Sequence, residues 1–428
     1  MSRSPLERVF GQAASLAFVV GTVVGTGIYL KPSLLASLVA KPSHLFLLWA
    51  LGGLFAGCGA AVYSALAQNW PESGGAYIYL RETYGSWAAS VLLAADVFLG
   101  RPAAVGALAT GMGLVWSLDR GPTLLLALSL IVILTGLQLG GSRLQGRSQV
   151  VMTVLQCLPL LTILGVGFLS PVSHVSVPVP VQTSTQWAAA FLAILWAYDG
   201  WYNITLMAGE VEEPTKTFPV ALVGGLGLVT LLYLLLNWVL LRHLSFELIQ
   251  SSPVPFAALF EKWSLPWLGT ALRIALSIAL LATLNGTLAC GSRVLVAASQ
   301  DGLIPRSLGP NPTDRAPTLC FALWCFGFLL LFGGLPLRLH LFDSLTELTA
   351  LIVVLLTCLT VTCVFHGKNF AQSVSWVFKS CALIYIALNV GLAYFVVREG
   401  NLLALAGGVG VFGLGTAVWF NKRGRSSR

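Results

Sequence analysis

Apolar residues crowd this chain into runs of about twenty, the length that crosses a bilayer as a helix, with short polar interruptions between them. The runs are continuous, as from Leu124 to Leu137 and from Leu222 to Leu241. They lack the alternation over about ten residues that marks the strand of a membrane barrel. The pattern predicts an all-α membrane protein. Twelve segments can be placed, centred near residues 25, 56, 101, 131, 160, 198, 230, 283, 326, 354, 386 and 411.

Two of these segments are interrupted in the middle. Segment one reads Gly21-Thr22-Val23-Val24-Gly25-Thr26-Gly27-Ile28-Tyr29. A glycine inside a helix costs about 1 kcal/mol relative to alanine, and in lipid each backbone group freed by unwinding needs another partner. Three glycines here therefore predict a built-in break. A broken span leaves a half-helix whose free N–H groups and positive dipole end form a mid-membrane site for an anion such as a carboxylate. Segment six reads Leu195-Trp196-Ala197-Tyr198-Asp199-Gly200-Trp201-Tyr202-Asn203, with an acidic residue beside a glycine at its centre. An ionisable group at that depth is expensive and marks a functional site.

The spacing of the segments supplies the organisation of a single transmembrane domain over residues 1–428. Residues 11–171 and 186–366 each hold five segments, and residues 373–420 hold helices eleven and twelve. Five is odd, so the second block enters the membrane from the opposite side, as in an inverted-topology repeat. Paired interruptions in corresponding segments of two halves point to a transporter binding site.

Composition narrows the picture further. With 57% hydrophobic and 9% charged residues, the chain is excluded from the soluble globular class. A net charge of +8 would suggest nucleic acid in a soluble protein. Here the excess of lysine and arginine in cytoplasmic loops accounts for it, and no nucleic-acid partner is expected. With the N-terminus inside, fifteen of the 24 lysines and arginines fall on the inner side, eight on the outer, and Arg101 within a segment. Both termini are then cytoplasmic. No small-residue cleavage site follows a short apolar core, so segment one should act as an uncleaved insertion signal.

The cysteines at 58, 157, 290, 320, 325, 358, 363 and 381 lie within segments or at their edges, without CxxC or metal spacing, and read as packing residues. The five histidines stand at segment ends or in loops. With no clustered titratable groups there is no case for an enzyme, and no metal or cofactor is expected. Between segments seven and eight, Ser245 to Pro266 is long enough for a short helix over an outer vestibule, the alternative being a plain connector.

Seven motifs in order carry a resemblance. They are Gly25-Thr26-Gly27-Ile28, Pro71-Glu72-Ser73-Gly74-Gly75-Ala76-Tyr77, Arg101-Pro102-Ala103, Trp196-Ala197-Tyr198-Asp199-Gly200-Trp201, Gly209-Glu210 with Pro214 and Pro219, Asn285-Gly286-Thr287 with Ser292-Arg293, and Gln300-Asp301-Gly302-Leu303-Ile304-Pro305. Over nearly its whole length the chain resembles the amino acid-polyamine-organocation transporters, in their L-type amino acid transporter-like branch. The bacterial serine/threonine and alanine/serine/cysteine exchangers look nearest.

The resemblance implies the leucine-transporter-like fold of five plus five inverted segments with two extra helices, and an amino acid held between the breaks. The residues suit that chemistry. The amides of Thr26, Gly27 and Ile28, freed by Gly25, suit the substrate carboxylate, and carbonyls near Val23, Ala197 and Gly200 suit its ammonium. Asp199 has four readings: pairing the ammonium, pairing a cationic side chain, carrying a proton, or capping freed N–H groups. Tyr198 and Trp201 read as pocket or packing aromatics. Trp196 stands where the family closes an outer gate, an interface-facing tryptophan being the alternative. Arg101 is expected to pair with Asp96 or to meet a helix end, direct contact with substrate being the alternative. Asn285 and Thr287 contact substrate or brace the break, as interhelical polar residues do.

Sodium-independent members carry a lysine before a Leu/Ile-Pro pair in segment five, where this chain has Gln156. A neutral amide cannot replace that charge, although it can still hydrogen-bond segments one and eight. The loop from Ser117 to Pro122 lacks the cysteine by which animal members bind a heavy chain, so no disulfide-linked partner is expected.

The reading is a sodium-independent exchanger or permease of small neutral amino acids in a bacterial inner membrane, working by alternating access as a monomer or weak homodimer. The alternatives are a proton- or cation-coupled symporter, a carrier of cationic amino acids or polyamines, and, remotely, an amino-acid-sensing receptor.

Overall fold

The computed structural model describes residues 7–171, 185–252, 254–263, 268–305, 315–334, 357–366, 374–398 and 415–419, with residues 307 and 372. Regular structure among them is helical, apart from an isolated bridge between Phe10 and Val211.

Helix α1 (Gln12–Val23) ends where the glycines begin to act. Val24 turns the chain out of helical geometry (φ −72°, ψ 80°), and α2 (Gly27–Leu38) restarts at an angle of 41° to α1. Helix α3 (Pro42–Asn69) opens on a proline, which loses nothing at a first-turn position whose N–H has no acceptor. Next come α4 (Ala76–Tyr84), α5 (Ser86–Val115), α6 (Arg120–Gln138) and α7 (Ser142–Leu169). Segment six is α8 (Trp187–Ala197), five non-helical residues, and the short α9 (Asn203–Leu206). Then follow α10 (Pro214–His243), α11 (Phe246–Ser251), α12 (Pro255–Lys262), α13 (Leu268–Gln300), α14 (Ala316–Gly334), α15 (Thr357–His366) and α16 (Trp376–Arg398).

Six of the described helices, α3, α5, α6, α7, α10 and α13, are long and apolar enough to cross a membrane, and the bent pair α1 and α2 makes a seventh. Helices α8, α14, α15 and α16 are shorter apolar pieces. Most of the tenth and twelfth segments of the sequence reading lies outside the described residues.

Helix α1 is the axis of the arrangement, with α7, α10 and α13 packed around it. Beside it, three fully buried rings interlock, Trp49 of α3, Tyr198 of the segment-six break and Tyr233 of α10, with centroids 5.2 to 6.0 Å apart. Such edge-on and tilted contacts add roughly 0.5–1.5 kcal/mol each to what burial contributes. The connector between segments seven and eight holds two helices rather than one. Both lie on α2: Ser33 Oγ donates to the Gln250 carbonyl (3.1 Å), Gln250 Nε2 donates to the Ala36 carbonyl (2.8 Å), and Phe256 of α12 packs edge-on to Tyr29.

Candidate functional site

The two breaks meet. Thr22 Oγ1 donates to the Gly200 carbonyl at 3.1 Å, joining the end of α1 to the middle of segment six. At the other end of the junction, a Cβ on Gly27 would stand 2.8 Å from Ala197 Cα, so α2 crosses the end of α8 backbone to backbone. Gly200 has φ +99°, a conformation side chains rarely adopt. A Cβ there would lie 2.6 Å from the Thr22 carbonyl oxygen.

The break leaves some backbone groups without partners. Val24 and Gly25 donate to the carbonyls of Val20 and Val23, while Thr26, Gly27 and Ile28 have no backbone acceptor among the described residues. Three amides are thus aimed off the start of α2, where the helix dipole favours an anion. Among the nominated carbonyls, that of Val23 already accepts from Gly25 N (2.8 Å) and from Tyr233 Oη (3.0 Å). Gly200's accepts from Asn203 N and Thr22 Oγ1. Ala197's accepts from no described donor. Ala197, Tyr198, Gly200 and Trp201 are buried, whereas Asp199 and Trp196 are exposed. Tyr198 Oη donates to the Trp49 carbonyl (2.9 Å), which ties the break to α3.

A polar stripe on α7 holds α1 in register. Gln145, Gln149, Thr153 and Gln156 follow one another at intervals of four, four and three, which places them on one helix face. All are buried. Gln156 Nε2 donates to the Gly21 carbonyl (3.2 Å) and Thr153 Oγ1 to the Ala17 carbonyl (2.9 Å). Gln149 Nε2 donates to the Ala282 carbonyl (3.2 Å) and Gln149 Oε1 accepts from Asn285 Nδ2 (2.9 Å), while Gln138 of α6 donates to the Asn285 carbonyl (3.0 Å). Asn285 thus hydrogen-bonds to both α6 and α7 from α13. Thr287 bonds one turn back to the Thr283 carbonyl.

Charged residues complete the surroundings. Asp96 and Arg101 are five apart, roughly 140° around an ordinary α-helix, yet they pair at 2.8 Å because residues Asp96–Gly100 form a wider π turn. Arg101 Nη1 also donates to Asn203 Oδ1 (3.2 Å), tying α5 to α9. A cavity of about 30 Å³, room enough for water, is lined by Tyr63, Asp96, Arg101, Tyr202, Thr205 and the hydroxyls of α15, Thr357 and Thr360.

Further along, Arg293 of α13 pairs with the buried Glu210 (2.9 Å) and donates to Gln145 Oε1 (2.8 Å). The Glu210 carbonyl accepts from Val9 N and Phe10 N. Arg81 and Tyr77 of α4 both bond Asp301 past the end of α13.

Two broken helices cross at their breaks, braced by side-chain amides and with few charges beside them. Residues 10–416 match the family model described as amino acid permease. The chain belongs to the amino acid permease family. It is an amino acid transporter of the amino acid-polyamine-organocation superfamily, close to serine/threonine exchangers, and not an enzyme.

The permease is 26% identical over 328 residues to the serine/threonine exchanger SteT of Bacillus subtilis, covering 74% of each chain. It is 24% identical over 343 residues to Asc-type amino acid transporter 1 of Mus musculus, covering 76% of this chain and 64% of that longer protein. It is 25% identical over 339 residues to the b(0,+)-type amino acid transporter 1 of the same species, covering 75% and 69%.

The sequence singles out Gln156 and Asn285, but not Thr22, Gln138, Gln145, Gln149, Thr153 and Tyr233. The interval of four between polar residues in an apolar helix was the available signal for those of α7.

Proposed function

We propose that this permease exchanges small neutral amino acids without sodium, holding the substrate where segments one and six cross. The observation that carries the proposal is the paired break. The amides of Thr26, Gly27 and Ile28 have no backbone acceptor among the described residues, and they face a second broken helix joined to the first by Thr22 and Gly200. In this reading the amides take the α-carboxylate, and the carbonyl of Ala197 takes the α-ammonium. Asp199 adds its charge from the exposed part of the break, and Trp196 closes over the outer side.

The fold of the proposal is twelve spans in a five-plus-five inverted repeat with both termini cytoplasmic. Segments one, two, six and seven rock against three, four, eight and nine. The name of the bacterial exchanger supports exchange, and the protein is proposed to work in a bacterial inner membrane without a heavy chain. Counterflow in proteoliposomes tests it: external amino acid should release labelled internal amino acid with no ion gradient. Absence of trans-stimulation by every amino acid would sink the proposal.

Gln156 bears on coupling. Its Nε2 holds the Gly21 carbonyl, while its Oε1 has no hydrogen-bond partner. A lysine ammonium can make the same donation and forfeits no acceptor contact. Gln156→Lys should therefore keep transport within about fivefold of wild type, the factor that corresponds to about 1 kcal/mol, the net worth of a neutral hydrogen bond; initial rates of uptake check it. Loss of transport in a folded Gln156→Lys protein would mean that the uncharged amide itself is required.

One observation favours a second reading. Asp199 is exposed in the break while residues on either side of it are buried, which suits a cationic substrate or a coupled proton. Uptake that collapses without sodium or a pH gradient, or that selects lysine or amines over serine, would establish that reading instead.

A further inference from the structure

Helices α3 and α16 lie side by side, and their register is set by two aromatic contacts. The rings of Phe55 and Tyr385 stack with centroids 4.5 Å apart and planes within 11°. The ring of Tyr385 also fills the space beside Gly59, coming within 2.6 Å of where a Cβ would stand.

One helical turn from this stack, three residues forward along α3 and four residues back along α16, come Cys58 and Cys381. Opposite steps along two antiparallel helices reach the same level, so the register brings the two side chains face to face. Cys381 is close enough to Cys58 to act on it electrostatically. Both are free thiols, with Cys58 buried and Cys381 partly exposed.

We infer that Cys58 and Cys381 form a dithiol site for trivalent arsenicals and similarly soft thiophilic ions, and that occupation of the site ties α3 to α16. Two sulfurs held side by side by different helices suit a ligand atom that bonds two thiolates at once. They stand in the interior of two apolar helices, so the reagent must arrive through lipid, as an arsenoxide with an organic substituent does.

The chemistry balances without an oxidant. Two As–S bonds form, the arsenic–oxygen bond breaks, and both thiol protons leave on that oxygen as one water. Arsenic and sulfur keep their oxidation states. The tether reaches the binding site, because α3 also carries Trp49, whose carbonyl holds Tyr198 of the segment-six break.

The probe is phenylarsine oxide, added to the full-length purified protein and followed by intact mass and by peptide mapping. Wild type should gain one reagent less one water. The adduct should survive washing with a monothiol and be removed by a 1,2-dithiol. Cys58→Ala and Cys381→Ala should each abolish the retained adduct, while Cys157→Ala and Cys325→Ala keep it.

Wild type that takes no wash-resistant arsenic, or a Cys58→Ala protein that retains it, would overturn the inference. Folding of each variant is checked by elution as a single monodisperse peak. If Cys58→Ala misfolds, peptide mapping of the wild-type adduct decides by itself: arsenic bridging the peptides of Cys58 and Cys381 supports the site, and any other pair refutes it. The mass readout does not depend on transport, so its outcome is separate from that of the exchange proposal.

Discussion

Gly200→Ala should lower amino acid affinity by ten- to a hundredfold while the protein still inserts and purifies. Gly200 sits at φ +99°, and a residue with a Cβ held there stores about 1–3 kcal/mol of strain. Each 1.4 kcal/mol is about tenfold in affinity. The added methyl would also meet the Thr22 carbonyl oxygen at 2.6 Å. That oxygen belongs to backbone already fixed by the bond from Thr22 Oγ1 to Gly200, so it has no cheap way to move. The two breaks would be pushed apart and the amides of α2 misaimed.

Gly27→Val should act alike through Ala197, whose Cα stands 2.8 Å from the would-be Cβ. Gly57→Ala is the control, because nothing lies within 4 Å of its would-be Cβ. Equilibrium binding of a labelled substrate measures all three. Wild-type affinity in Gly200→Ala would show that the junction of the breaks is not where binding is decided.

Arg293→Met should be the most destabilising single substitution considered, by about 3–5 kcal/mol, because it leaves the Glu210 carboxylate buried without its cation. The Glu210 side chain is 2% exposed and meets Arg293 through both oxygens, at 2.9 and 3.3 Å. Arg293 in turn holds Gln145 of α7, and the Glu210 backbone holds Val9 and Phe10 just before α1. The pair therefore joins three parts of the bundle. Replacing both members, Arg293→Met with Glu210→Leu, should recover most of the loss, since a well-packed apolar pair is often no worse than a buried ion pair. Thermal unfolding in detergent measures the two proteins. Equal melting of the single and double variants would mean that the penalty is lost packing rather than an orphaned charge.

The breaks were legible in the sequence because glycine in a membrane helix has a cost that a functional role must offset, and Asp199 beside Gly200 repeats the signal in the second half. The Asp96–Arg101 pair was legible as a need for charge neutralisation, although the spacing of five argued against it. Only the π turn, which composition does not announce, puts both on one face. Thr22 lay hidden within the glycine run, where its hydroxyl looked incidental, and its partner is 178 residues away.

Val23's carbonyl shows the reverse limit. The sequence identifies a freed acceptor, but not that Tyr233 from α10 takes it up. Long-range pairs such as Glu210 with Arg293 become visible only when the helices are packed, because nothing local to either residue names the other.

The central claim is that an amino acid sits between the breaks of segments one and six. A cryo-EM map of the protein with its best-competing amino acid, compared with a ligand-free map, tests it most directly. New density is expected with its carboxylate against the amides of Thr26, Gly27 and Ile28 and its ammonium beside the Ala197 carbonyl. Ligand density elsewhere in the bundle, with those amides turned away from it, would contradict the account.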